Sequence, residues 1–167
     1  VFPAAIVSFG PAPPAGAAPL LTFWPTNRLS WKRWTPEMNG IVKSTNGGTS
    51  WSPASTGLPA GDVIALAIDR TRPQTVYAGT ADGGAYTSTN GGASWSGASN
   101  GLTNTFVYAL AIDPSNRQII YAGTGTGATG VFKSVNGGAG WSASGTGLTA
   151  AGILSLAIDP SNPATVY

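Results

Sequence analysis

Few side chains in this sequence can do chemistry, and several of them recur at one repeated position. The acids are Glu37, Asp62, Asp69, Asp82, Asp113 and Asp159, and the arginines beyond residue 39 are Arg70, Arg72 and Arg117. Glycosidic bond cleavage takes two carboxyl groups flanking the bond, a chemistry that only these acids could supply. Asp69, Asp113 and Asp159 each close the tetrapeptide "LAID" ahead of Arg or Pro, which reads as a turn cap. Asp62 and Asp82 are the acids of the repeat region that do not recur, and no partner constellation accompanies them. Asn104 and Phe106 are also non-repeated. Asp62, Asp82, Asn104 and Phe106 are therefore the candidate binding residues, on a polar loop face whose one aromatic suits carbohydrate or peptide; a plain solvated loop is the alternative.

Other chemistries are excluded by residue type. The chain has no histidine and no cysteine, which removes thiolate sites and the usual zinc, iron and copper constellations. No metal, cofactor or catalytic residue is expected. A net charge of +2, spread along the chain, is too weak to argue for nucleic acid or an anionic membrane. Glycine-rich "GTGTGATG" (123–130) lacks the Lys-Ser/Thr ending and following helix of a phosphate loop, so it reads as a surface loop. With 42% hydrophobic and 8% charged residues in 167, the chain can bury the core of one domain. Sparse charge with many Gly, Ser, Thr and Asn leans toward an extracellular or cell-surface bacterial protein.

The elements that must position these residues are announced by repetition. The octets "STNGGTSW", "STNGGASW" and "SVNGGAGW" end at Trp51, Trp95 and Trp141, in steps of 44 and 46 residues. "LAID" and the "VY" or "IY" pairs keep the same step, and the two extra residues fall in the glycine-rich stretch between 124 and 134. A period of roughly 40 to 50 residues fits propeller blades and some helical solenoids. Glycine at this density opposes helices, each interior Gly costing about 1 kcal/mol relative to Ala. Four strand-like runs instead fill the second period: "VIALAID" (63–69), "TVYAGT" (75–80), "GAYTST" (84–89) and "SWSGAS" (94–99). In the first, alternation puts Val63, Ala65, Ala67 and Asp69 on one face and Ile64, Leu66 and Ile68 on the other. An all-β fold follows: a partial β-propeller of four-stranded antiparallel blades, with "LAID" on the innermost strand. Each octet joins the third and fourth strands through an Asn-Gly turn, with the tryptophan plugging the corner.

The octet, S-x-N-G-G-x-[SG]-W, resembles the Asp-box or BNR repeat, Ser-x-Asp-x-Gly-x-Thr-Trp, and "LAIDPSNPATVY…AGT…GVFKS" is similar to the surrounding blade of bacterial Asp-box propellers. That group includes sialidases, sortilin-type receptors, xyloglucan-cleaving glycoside hydrolases and photosystem II assembly factors. The resemblance implies structural roles for Ser44, Asn46, Gly48 and Trp51, for Ser88, Asn90, Gly92 and Trp95, and for Ser134, Asn136, Gly138 and Trp141. The family's Asp is Asn46, Asn90 and Asn136 here, and its Thr is Ser50, Ser94 and Gly140, so the third corner is expected to be the weakest. Sialidases of this fold use an arginine triad, a tyrosine nucleophile helped by a glutamate, and an aspartic acid/base. Here the one glutamate, Glu37, lies outside the repeats, and Arg70, Arg72 and Arg117 fall on the octet face, opposite the usual catalytic face.

Residues 40–167 thus hold two full blades and two part blades, too few to close a ring of 4 to 8. The expected partners are further blades of a parent chain or further copies of this one, with carbohydrate or protein as ligand, no nucleic acid and no membrane span. Residues 1–39 form a non-repeat, Pro/Ala-rich segment. Shifting the codons of "NRLSWKRW" (27–34) by one base permits Thr-Val-Tyr-Arg-Gly-Ser-Asp-Gly, similar to "TVYAGTADG" at 75–83. Either a blade strand lies out of frame there, leaving Trp24, Trp31 and Trp34 without function, or the segment is an unstructured leader. The functional expectation is a non-catalytic binding or scaffold module. The alternative is a fragment of a secreted glycoside hydrolase, sialidase-like or xyloglucanase-like, whose catalytic residues lie elsewhere.

Overall fold

The computed structural model describes residues 6–9, 40–125, 130–148 and 152–167, and every described element is β. Glu37, Trp24, Trp31, Trp34, the codon-shift segment and residues 126–129 of the glycine-rich loop lie outside the described residues. Strands β1 (Ile6–Phe9), β2 (Gly40–Lys43) and β3 (Ser52–Pro53) make a three-stranded sheet in chain order. Four strands of the chain make the next sheet: β4 (Val63–Ile68), β5 (Val76–Thr80), β6 (Ala85–Ser88) and β7 (Ser96–Gly97). A third sheet repeats that order with β8 (Val107–Ile112), β9 (Ile120–Thr124), β10 (Val131–Ser134) and β11 (Ser142–Ala143). An antiparallel bridge between Ile158 and Val166 begins another. All described pairings are antiparallel and join strands that are neighbours in sequence. The result is a partial β-propeller, its blades laid side by side with the first strands innermost.

Within the segment read as non-repeat, β1 pairs with β2 from Ile6↔Lys43 to Phe9↔Gly40, taking the place of a second blade strand. The first-strand alternation also differs from expectation. A bulge separates Val63, which pairs with Thr80, from Ala65, which pairs with Gly79. Ile64 is the extra residue, so Val63 shares a face with Leu66 and Ile68 instead of with Ala65. The same slip makes Tyr108 extra between Val107 and Ala109.

The apolar core lies between blades. One cluster joins Ile41 and Ala54 of the first sheet to Val63, Val76, Ala78 and Trp95 of the second, with Leu58, Leu66, Ile68 and Tyr86 packed against it. The other joins Tyr77 and Ala85 to Val107, Ile120, Ala122, Phe132 and Trp141. Trp95 and Trp141 therefore plug the joint with the preceding blade, where the sequence suggested a corner of their own blade. Trp95 donates its indole N–H to Ala54 O at 2.7 Å, and Trp141 donates to Ala98 O at 2.7 Å. Trp95 and Trp141 are 5% and 7% exposed, whereas Trp51 is 41% exposed.

The octets share one hydrogen-bond pattern. The backbone amides of Gly48, Gly92 and Gly138 donate to Ser44, Ser88 and Ser134 Oγ at 2.8 to 2.9 Å. Those hydroxyls donate to Asn46, Asn90 and Asn136 Oδ1, which also accept the amides of Ser50, Ser94 and Gly140. Positive φ falls on the paired glycines, such as Gly91 (67°) and Gly92 (89°). Asn46 and Asn90 further donate Nδ2–H to Ser50 and Ser94 Oγ at 2.8 Å, a bond a carboxylate cannot make; Gly140 has no hydroxyl to receive one. Ser88 is buried, so Ser88→Ala strands the Gly92 amide without its acceptor. A loss of about 1 to 3 kcal/mol in urea unfolding is expected, and an effect near zero would show that the octet bonds are dispensable.

Candidate functional site

The blades present two ends, and the candidate residues divide between them. At the octet end, Val76 pairs with Ser88, and the Gly91 and Gly137 amides donate to Gln74 O and Gln118 O of the first-to-second-strand loops. Arg70, Arg72 and Arg117 lie in those loops, on the octet end as expected. A hollow of about 620 Å³ opens there between successive inner strands, its rim including Arg70, Thr71, Asn116, Arg117 and Pro160.

The three aspartates at this end are consumed by turns. Asp69 Oδ1 accepts from Thr71 N (2.8 Å), Thr71 Oγ1 (2.7 Å) and Arg72 N (3.1 Å). Asp113 does the same with Ser115 and Asn116, and Asp159 with Ser161 and Asn162. Burial pushes the Asp69 and Asp113 carboxyls up, but the hydroxyl and amide bonds, with Arg117 near Asp69 and Lys133 near Asp113, outweigh it and hold both below 3.8. Asp159 is held down by its own serine and amide bonds. A depressed folded-state pKa stabilises the fold above the unfolded value and loses that contribution as pH falls through the folded one. The melting temperature should therefore stay level from pH 7 to about 5 and drop below about 4. Asp113→Asn should flatten that acid limb in melting followed by circular dichroism; an unchanged limb would assign acid lability to other groups.

Nearby, Tyr77 crosses to the next blade and donates its hydroxyl to Gly137 O at 3.0 Å. Burial, with Asp69 close by, pushes that hydroxyl's pKa up, keeping it a donor. Lys43 serves the equivalent carbonyl one blade earlier, reaching Gly91 O at 2.9 Å.

The opposite end carries Asp62, Asp82, Asn104 and Phe106. Asp62 and Asp82 are exposed and adjoin each other: Asp62 O accepts from Ala81 N at 2.9 Å, and the Asp82 carboxylate lies over Gly61, 2.9 Å from where a Cβ would stand. Asn104 and Phe106 sit at the next joint. Asn104 Oδ1 accepts from Phe106 N at 2.9 Å, and Thr105 O takes the Gly84 amide from the loop that holds Asp82. The four residues thus share one rim at two successive joints.

The second joint has a hollow of about 400 Å³, lined by Thr103, Asn104, Thr105, Phe106, Tyr108 and Gly125. Phe106 is 47% exposed on its edge. Tyr108 was missed by the sequence reading, because alternation alone puts it on a packed face. The bulge sets its position, like that of Ile64, apart from the packed face, and Ile64 and Leu154, its equivalents by repeat position, are exposed. Variation among Ile, Tyr and Leu at an otherwise repeated position was the available signal. Among the described residues no group of three acids could hold a metal ion, and no helix is long and apolar enough to cross a membrane.

No protein-family model and no curated protein matches this sequence. Solved structures do. An ancestral GH74 enzyme matches with a TM-score of 0.64 and 29% identity, over 78% of this chain and 19% of that one. The GH74 xyloglucanase from Xanthomonas campestris matches with a TM-score of 0.53 and 19% identity, over 62% of this chain and 19% of that one. The chain has a glycoside-hydrolase-like propeller fold, and it spans about a fifth of the length of these GH74 enzymes.

Proposed function

We propose that this chain is a non-catalytic binding or scaffold module built on GH74-like blades, displaying the rim of Asp62, Asp82, Asn104, Phe106 and Tyr108 to carbohydrate at the cell surface or outside the cell. The observation that carries this reading is the hollow that Phe106 and Tyr108 line together with Thr103, Asn104 and Thr105. A sugar offers apolar C–H faces to a ring and hydroxyls to the polar rim. The absence of catalysis is supported by the acids themselves: Asp69, Asp113 and Asp159 are spent on turn amides, and Asp62 and Asp82 stand in the open. Calorimetric titration with xyloglucan oligosaccharides, the polymer class named by one GH74 neighbour, tests it. Phe106→Ala should weaken binding about tenfold, with a smaller loss for Asp62→Ala. Equal, negligible binding by all forms would remove the glycan reading.

A second reading is favoured by the 29% identity to the ancestral GH74 enzyme and by the small share of that enzyme covered. In it the chain is a section of a glycoside hydrolase whose catalytic carboxyls lie elsewhere. Hydrolysis of xyloglucan by this chain alone, lost in Asp62→Asn or Asp82→Asn, would contradict both readings.

A further inference from the structure

We propose that Asn100–Gly101 is a self-modifying site, at which the asparagine cyclises, releases ammonia and reopens as isoaspartate within the joint between two blades. Asparagine before glycine is the dipeptide that does this most readily, because glycine puts no side chain in the way of its own amide nitrogen. The Gly101 amide gives its proton to solvent base and attacks Asn100 Cγ; the N–Cγ bond forms as the Cγ–Nδ2 bond breaks, and Nδ2 leaves as ammonia. Water then opens the imide, at Cγ to give aspartate or at the α-carbonyl to give isoaspartate. Overall, water is taken up and ammonia is lost.

The same dipeptide occurs in the octets, and there the fold holds it shut. Asn90 Oδ1 accepts from Ser94 N and Ser88 Oγ while its Nδ2 donates to Ser94 Oγ, and Asn136 Oδ1 accepts from Gly140 N and Ser134 Oγ. The attacking nitrogens are held as well, Gly91 N donating to Gln74 O at 2.7 Å and Gly137 N to Gln118 O at 3.0 Å. A carboxamide so fixed cannot swing toward the nitrogen, and an amide proton shared with a carbonyl is harder to remove. Asn100 is exposed, and among the described residues no hydrogen bond holds its carboxamide or the Gly101 amide. Its turn closes instead through Leu102 N and Ser99 O at 2.9 Å. The sheets on both sides of this joint, the second and the third, are present, so the contrast is internal to the chain.

Isoaspartate at this position strikes the joint itself. Asn100 O accepts the Trp141 amide at 2.9 Å, and Gly101 (φ 87°) lies so close that a Cβ would stand 2.2 Å from Trp141 O. Both ends of the turn are fixed, Ser99 Oγ bridging Ala85 N and Ala85 O while Leu102 packs on the core. Isoaspartate routes the main chain through Cβ and Cγ, which lengthens it by a carbon and turns the carbonyl that met Trp141 into a free carboxylate. The joint has no slack for either change. At the equivalent positions Thr56 and Thr146 stand before Gly57 and Gly147, so a residue that cannot cyclise fits this turn.

Peptide mapping by mass spectrometry, with an isoaspartate methyltransferase to label the product, tests this on the 167-residue chain aged in mildly alkaline buffer. In the folded chain position 100 should convert at least about tenfold faster than positions 90 and 136. In urea, where only the local sequence acts, the three should convert at similar rates. The aged chain should unfold at lower urea with its tryptophan emission shifted to longer wavelength, whereas Asn100→Thr aged beside it keeps its starting midpoint and emission. Asn100→Asp, which adds the charge without the extra carbon, should behave as the fresh chain. Conversion at position 100 no faster than at 90 and 136 in the folded chain, isoaspartate at 100 with an unchanged midpoint, or an equal loss in aged Asn100→Thr would each overturn the proposal.

Discussion

Trp141→Ala should cost about 3 to 5 kcal/mol, a large share of the roughly 5 to 15 kcal/mol that holds an ordinary domain folded. The side chain is buried between the second and third sheets beside Tyr77, Ala85, Val107 and Phe132, and its indole N–H is satisfied by a carbonyl of the preceding blade. Truncation empties that joint and leaves Ala98 O without its donor. Trp141→Phe separates the two contributions, keeping most of the apolar contact and losing only the hydrogen bond, for about 1 to 2 kcal/mol. Trp51→Ala, the same substitution at the exposed copy, should change stability by less than about 1 kcal/mol. Urea unfolding of the chain, with and without each tryptophan change, makes the comparison. Equal losses at positions 51 and 141 would place the tryptophans in their own corners instead of at the joints.

Gly79→Val should destabilise by about 3 kcal/mol through overpacking. At Gly79 the inner strand of the next blade comes so near that a Cβ would lie 2.6 Å from Val107 O and 2.7 Å from its Cγ1. Gly123 repeats the approach against Ile153, with a Cβ position 2.7 Å from Cγ2 and 2.9 Å from the backbone oxygen. Backbone cannot swing aside as a side-chain end can, so the blades must part. Parting them should also loosen Trp141 and shift its fluorescence to longer wavelength. Gly97 is the control, since nothing lies within 4 Å of its Cβ position; Gly97→Ala should leave both the unfolding midpoint and the emission unchanged.

Much of this was legible before any coordinates. Repetition at steps of 44 and 46 residues, four strand-like runs per period, and glycine at helix-breaking density together determined an all-β repeat fold of blade type. Local chemistry also determined the aspartate caps and octet turns, because their partners are two to four residues away in the chain. The rim of Asp62, Asp82, Asn104 and Phe106 could be nominated by non-repetition alone, though nothing local says what adjoins what.

What only the tertiary structure decided is what depends on one blade meeting the next. Ala54 and Trp95 are 41 residues apart, and Tyr77 and Gly137 are 60 apart, so no periodicity within a blade could pair them. The bulge that sets Tyr108 apart from the packed face comes from fitting the inner strand to the second strand's register, a cross-strand constraint that alternation within one strand does not carry. The difference between Trp51 and its two buried equivalents is of the same kind. Identical octets carry identical local instructions, and whether the indole is covered depends on which blade stands before it.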